Sequence, residues 1–243
     1  MDSMHRQARI AGCWYLLFVL SGFFALMYVP GQVLVRGNPA ATANNIASHE
    51  MLFRFGIVAE LFAGVLALIV ALVLYRLFEN VDRTQAVLMV ILGGLVVTPI
   101  YFVNVFTSTA ALRLAGGADV AASLDVHERQ IFARFFLDLH HDILMASFVF
   151  AGLWLFPLGI LIYRSRFLPR FIGVWLIVEG FAWVVYSLTG FVSPQHTDRV
   201  WKWIQPAALG EIVFTLWLLI FGARRLADRP SANRSPSGVD PPS

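Results

Sequence analysis

The chain has 243 residues, of which 58% are hydrophobic and 14% charged, and its mean hydropathy is +0.72. Ordinary soluble domains are about 45–50% apolar, so a water-soluble surface is excluded, and the length suits one compact bundle without a second large domain. The net charge of +3 rests on arginine, lysine occurring only at Lys202, and these residues fall in short loops and tails where they orient helices, so no nucleic-acid partner is implied.

Six apolar runs follow in chain order: Ile10–Val29, Phe55–Tyr75, Ala86–Ala111, Ile143–Tyr163, Phe171–Val192 and Ile204–Ala223. Each approaches the roughly 20 residues needed to cross a hydrocarbon core. The first follows His5, Arg6 and Arg9, but it is too long for a signal-peptide core and lacks a small-residue cleavage site, so it reads as a retained helix. It contains the single cysteine, Cys13, which leaves no disulfide framework and no thiolate zinc site. Pro30-Gly31 is expected to end this helix, and Pro206 to open the sixth. Pro99 and Pro157 lie inside the third and fourth runs and predict kinks. Ahead of the second run, 40–54 reads as a helical lead-in. Ahead of the fourth, Asp125-Val126-His127-Glu128 fits a capping box, followed by Ile131, Phe132, Phe135, Phe136 and Leu139 at helical spacing. That segment either lies in the interface or feeds directly into the fourth helix.

The expected fold is all-α, a six-transmembrane-helix bundle over residues 10–225. A cytoplasmic segment, 1–9, precedes it, and a Pro-, Ser- and Arg-rich tail, 226–243, is expected to be disordered. Arginine placement sets the orientation. With the N-terminus inside, the inner segments hold eleven arginines and the outer loops seven basic residues, and the inner connections are shorter. Both termini are therefore assigned to the cytoplasm of a multi-pass membrane protein. The Arg- and Ala-rich composition points to a GC-rich bacterial genome, hence to a bacterial cytoplasmic membrane.

Several stretches carry a resemblance: Ala8-Arg9-Ile10-Ala11-Gly12, Thr42-Ala43-Asn44-Asn45-Ile46, and Glu50-Met51-Leu52-Phe53-Arg54. Two later ones run from Gly152 through Trp154 and Pro157 to Gly159, and from Ser165 through Pro169 to Gly173. Together they resemble a bacterial membrane family known as domain of unknown function 4386, from about Arg9 to Arg225. The resemblance implies a polytopic bundle and supplies no activity, so no catalytic residue is carried over on its strength.

No phosphate-cradling glycine loop, nucleophile elbow or zincin helix is present. The residues that invite chemistry are polar groups inside the runs. A carboxylate at mid-membrane costs roughly 2.5–3.5 kcal/mol on insertion scales, and three are present: Glu60, Glu179 and Glu211. Glu60 shares its helical face with Gly56, Ala63 and Gly64, Glu179 with Trp175, Trp183 and Tyr186, and Glu211 with Ala207, Phe214 and Thr215. Asn104 joins Tyr101, Thr107 and Ser108 in a polar strip. At about 1.5 Å of rise per residue, Glu60 and Glu211 fall roughly 8 Å below the outer boundary, Asn104 about 5 Å, and Glu179 nearer the middle. These four are the candidate ligand- or ion-binding residues. The bland alternative is that each carboxyl bridges helices by hydrogen bonds and binds nothing.

A second constellation is Asp138, His140, His141 and Asp142, where Asp138, His141 and Asp142 share one face and offer a zinc or iron set, or axial histidines for haem. Outer-loop histidines are more often solvated. Three functional readings follow. One is a protein binding or transporting an ion, proton or small amphiphile in an outward-facing polar cavity; the others are an intramembrane metal-dependent enzyme, and a structural or regulatory subunit. The first is favoured, with the lipid bilayer and a small ligand as partners, no resident cofactor and no catalytic residue assigned.

Overall fold

The computed structural model describes residues 2–117 and 123–223, and the expected disordered tail lies outside the described residues. Among the described residues there are helices and no strand. They are α1 (Asp2–Phe23), α2 (Val29–Val33), α3 (Pro39–Ser48), α4 (Glu50–Phe78), α5 (Arg83–Val90) and α6 (Val97–Ala115), followed by α7 (Val126–Leu153), α8 (Leu155–Arg164), α9 (Arg170–Val192), α10 (Thr197–Ile204) and α11 (Gly210–Ile220).

Five assemblies are long and apolar enough to cross a membrane: Met4–Val33, Glu50–Phe78, Arg83–Ala115, Val126–Arg164 and Arg170–Val192. These contain the first five apolar runs. The sixth run is not one straight helix. Pro194–Ile204 and Ala207–Ile220 meet at a bend of 54°, and Pro206 caps the short 3₁₀ turn Ala207–Leu209 that leads into α11.

Three of the long assemblies are interrupted, each about one turn ahead of a proline. A π-helical turn at Phe24–Tyr28 spans the residue four before Pro30, and another at Ile91–Leu95 ends four before Pro99. α7 stops at Leu153, four before Pro157. Proline has no N–H to offer the carbonyl four residues back, and its ring crowds that carbonyl, so the ladder widens or breaks there. Pro30 does not end the first helix as expected. The π turn absorbs it and the chain stays helical to Val33.

The capping box forms as its pattern predicts. Asp125 accepts the Glu128 N–H at 2.8 Å, and Glu128 reaches back to the Asp125 N–H at 2.9 Å. From there α7 runs unbroken to Leu153, so this segment feeds directly into the fourth run. The lead-in to the second run is a separate helix, α3, with a break at His49 before α4.

The helices pack in chain order around a closed ring. α1 lies against α4, α4 against α6, α6 against α7, α7 and α8 against α9, α9 against α11, and α11 returns to α1. Close approach depends on glycine. A Cβ on Gly152 would stand 2.4 Å from the Gly180 carbonyl, and one on Gly159 would stand 2.6 Å from the Gly173 carbonyl. Without a hydrophobic drive between helices in lipid, such contacts are what hold neighbours together. Large apolar side chains such as Phe62, Phe106, Phe181 and Leu216 stay exposed on the outside of the ring, as a lipid-facing surface requires.

At one end of the bundle the start of α1 meets the end of α11. Arg9 donates to the Ile220 carbonyl at 3.2 Å, and the His5 ring lies against Gly222. The same end holds the 79–82 and 165–169 connections, joined by an Arg164–Asp82 ion pair at 2.5 Å and by Phe78 stacked on Phe167. An apolar cluster around Tyr15, Leu74, Phe78, Trp154 and Phe214 fills that half. A smaller one around Val29, Ile46, Phe53, Leu112 and Leu137 fills the other. Along α4, the buried Glu60 lies between Phe53 of the smaller cluster and Val70 of the larger.

Candidate polar sites within the bundle

Glu60 projects from α4 into the ring and is 3% exposed. Its Oε1 accepts from Asn104 Nδ2 on α6 at 2.9 Å. His140 Nε2 on α7 stands 3.1 Å from Oε1 and 3.2 Å from Oε2. Three helices thus converge on one carboxyl. The small residues read from the sequence permit this approach: Gly64 lies so close to Tyr101 that a Cβ would stand 2.9 Å from the tyrosine Cβ. Asn104 is 2% exposed, and its Oδ1 has no hydrogen-bond partner among the described residues. Such buried acceptors are uncommon in native interiors, and this one is free to meet a ligand.

Beside the carboxyl lies a cavity of about 90 Å³, lined by Glu60, Ser108, His140 and His141 among apolar residues that include Val29 and Phe53. A water needs roughly 10–15 Å³ by the same kind of measure, whereas drug-sized ligands occupy clefts of roughly 300–1,000 Å³. The space suits a few waters, an ion or a very small molecule.

Glu179 and Glu211 form a second group. Glu179, on α9, is fully buried. Its Oε2 accepts the Glu211 backbone N–H at 2.9 Å, and the Trp183 indole donates to Oε1 at 3.4 Å. The Glu211 carboxyl turns the other way and accepts the Tyr15 hydroxyl of α1. Gly210 makes room for this contact, since a Cβ there would stand 2.5 Å from Glu179 Oε2. Glu211 therefore lies at the level of Glu179 and not well outward of it. The bend ahead of Ala207 gives α10 part of the length that a straight sixth helix would have spanned, and Trp201 on α10 packs against Trp183 and Tyr186.

The four candidates are thus brought together as two pairs, Glu60 with Asn104 and Glu179 with Glu211. The other constellation is not brought together. Asp138 pairs with Arg134 at 2.8 Å, Asp138, His141 and Asp142 are exposed, and His140 turns inward to Glu60. Among the described residues no group of three or more His, Cys, Asp or Glu side chains is placed to hold a metal ion. Sequence reasoning missed His140 as the partner of Glu60 and Tyr15 as the partner of Glu211. For His140 a signal existed: Ala133, Leu137, His140 and Leu144 recur on one face of α7.

No solved structure matches the chain. An uncharacterized protein of Archaeoglobus fulgidus is 24% identical over 148 residues, covering 58% of this chain and 83% of the relative. Residues 10–222 match the family described as "Domain of unknown function (DUF4386)". With most of its length accounted for in this way, the chain belongs to that family.

Proposed function

We propose that this chain is a six-span protein of the bacterial cytoplasmic membrane, with both termini inside, that binds a small cationic or protonatable ligand in an outward-opening polar cavity, as a transporter would. The meeting of Arg9 and Ile220 at one end of the ring supports an even number of crossings, with the bent pair counted as one. The arginine excess of the inner segments supports the orientation. The cavity then opens on the outer half, where Val29, Phe53 and Leu137 lie.

The observation that carries the functional reading is Glu60. A carboxyl that only bridges helices needs no open space, yet this one borders a cavity of about 90 Å³ together with His140. A single carboxyl facing an imidazole and an amide can hold a cation or exchange a proton.

The test is thermal stability of the purified protein in detergent against ammonium and small alkylamines, for the wild type and Glu60→Gln. A ligand that binds only the folded state stabilises it by about 2.7 kcal/mol at a hundredfold excess over Kd, a shift of several degrees. At least one amine is expected to produce such a shift in the wild type and none in Glu60→Gln. A wild type indifferent to every amine, or a shift that survives in Glu60→Gln, contradicts the reading.

A further inference from the structure

Next to the main cavity, and sharing Glu60 and Leu144 with it, is a smaller chamber of about 10 Å³ lined also by Ile100, Tyr101, Asn104 and Ser147. It has room for about one water-sized particle. Every polar group named there can present oxygen. The Ser147 hydroxyl spends its proton on the Leu144 carbonyl at 2.7 Å, which leaves its lone pairs free. Asn104 Nδ2 is committed to Glu60, so the unpartnered Oδ1 is the end of the amide left for the chamber.

We propose that this chamber is a site for one dehydrated monovalent cation, sodium or hydronium, held by Glu60, the Asn104 Oδ1, the Ser147 hydroxyl and the Tyr101 hydroxyl. The proposal rests on the cavity reading above and deepens it by naming the cation. Oxygen donors suit a hard cation. The charge suits a single positive one, since Glu60 is the one carboxylate lining the chamber, whereas divalent sites in proteins draw on more carboxylates or many waters. The titratable groups facing Glu60 are Tyr101 from α6 and His140 and His141 from α7, and Glu211 of α11 also acts electrostatically on Tyr101. The residues of the Phe24–Tyr28 turn and of α2 that line the neighbouring cavity, including Ala25, Val29 and Val33, are apolar.

The experiment is the melting temperature of the purified protein in sodium chloride against choline chloride at equal ionic strength, repeated from pH 5 to 8. The variants are Asn104→Leu, which removes the orphan oxygen, and the milder Ser147→Ala. Sodium is expected to raise the wild-type midpoint by about 2 °C or more. The rise should vanish in Asn104→Leu and shrink in Ser147→Ala. Stabilisation by acid in place of sodium, lost in the same variants, identifies hydronium as the occupant. A wild type indifferent to both, or a response unchanged in both variants, overturns the site. A sodium response without any amine response defeats the amine-binding reading and leaves this site standing. An amine response without sodium or acid dependence does the reverse.

Discussion

Glu179 on α9 accepts the backbone N–H of Glu211 at 2.9 Å and so caps α11, a helix that begins inside the bundle. The first N–H groups of a helix have no intrahelical partner, and the N-terminal end of the helix dipole favours negative charge. In water such groups are solvated; inside a membrane they must be met by protein. Glu179 meets one, while the Trp175 indole donates to the Ala207 carbonyl at 3.1 Å just ahead of it. The break in the last span is thereby satisfied from α9. Broken helices of this kind occur in transporters, where half-helix ends line binding sites. Here the end is occupied by the protein's own carboxyl.

Replacing Gly210 with alanine tests that junction. The added Cβ would stand 2.5 Å from Glu179 Oε2 and 3.1 Å from Trp175 Cδ1, so the carboxyl must withdraw from the Glu211 N–H. Overpacking typically costs about 1–3 kcal/mol, a loss of several degrees in a protein of this size. Glu179→Ala should cost stability on its own but should make Gly210→Ala milder, because the closest clash is gone and only the contact with Trp175 remains. Thermal midpoints of the two single variants and the double give the coupling, and strict additivity would refute the contact.

A second prediction concerns the ring. Gly152→Leu drives a side chain into the Gly180 carbonyl and Val184, while Gly22 has nothing within 4 Å of a built Cβ. Gly152→Leu should therefore lower the yield of monodisperse protein sharply. Gly22→Ala should be neutral or slightly stabilising, since alanine favours a helix over glycine by up to about 1 kcal/mol. Size-exclusion profiles of the two variants decide the matter. Equal behaviour would mean that the α7–α9 approach is looser than described.

Topology is testable in a Cys13→Ala background. With both termini inside, a cysteine placed at Ser123 should react with an impermeant thiol reagent added to whole cells. One placed at Ser231 should react only after the membrane is opened. The opposite pattern would invert the orientation, and labelling of both from outside would mean an odd number of crossings.

The metal-enzyme reading predicts stoichiometric zinc or iron in purified protein. The scattering of Asp138, His141 and Asp142 over an exposed face predicts otherwise: elemental analysis should find no stoichiometric divalent metal, and a chelator should leave the melting temperature unchanged. Stoichiometric metal that disappears in His141→Ala would restore that reading.

The spans were legible because a hydrocarbon core demands runs of about 20 apolar residues, which few other constraints produce. The prolines were legible as sites of distortion but not in their outcome, since whether a helix ends or widens depends on the neighbours that meet the freed carbonyl. Helix faces were harder. The recurrence of Ile131, Phe132, Phe135 and Leu139 reads in a soluble protein as a core stripe. In α7 these residues are exposed, and the smaller face with Ala133, Leu137 and His140 points inward. In lipid the largest apolar groups gain nothing by turning in, so the amphipathic rule inverts. His141 was grouped with Asp138 and Asp142 on their i, i+3, i+4 spacing along one helix, whereas the meeting of His140 with Glu60 depends on which helices are neighbours, which no single helix carries in its sequence. The Glu179–Glu211 contact was hidden for another reason: depth counted from the apolar run assumes a straight helix, and the sixth run is bent.

The proposed cavity makes Glu60 a binding group and not a strut between helices. The most direct measurement is the melting temperature of wild type and Glu60→Gln in detergent, each with and without sodium and the best amine of the panel. Glutamine keeps an acceptor for Asn104, so Glu60→Gln is expected to melt within about 4 °C of wild type in choline chloride, the loss of one net hydrogen bond being about 1 kcal/mol. It is expected to have lost the stabilisation by sodium and amine entirely. A variant that melts much lower while still responding to both would show Glu60 to be structural, and would contradict the claim.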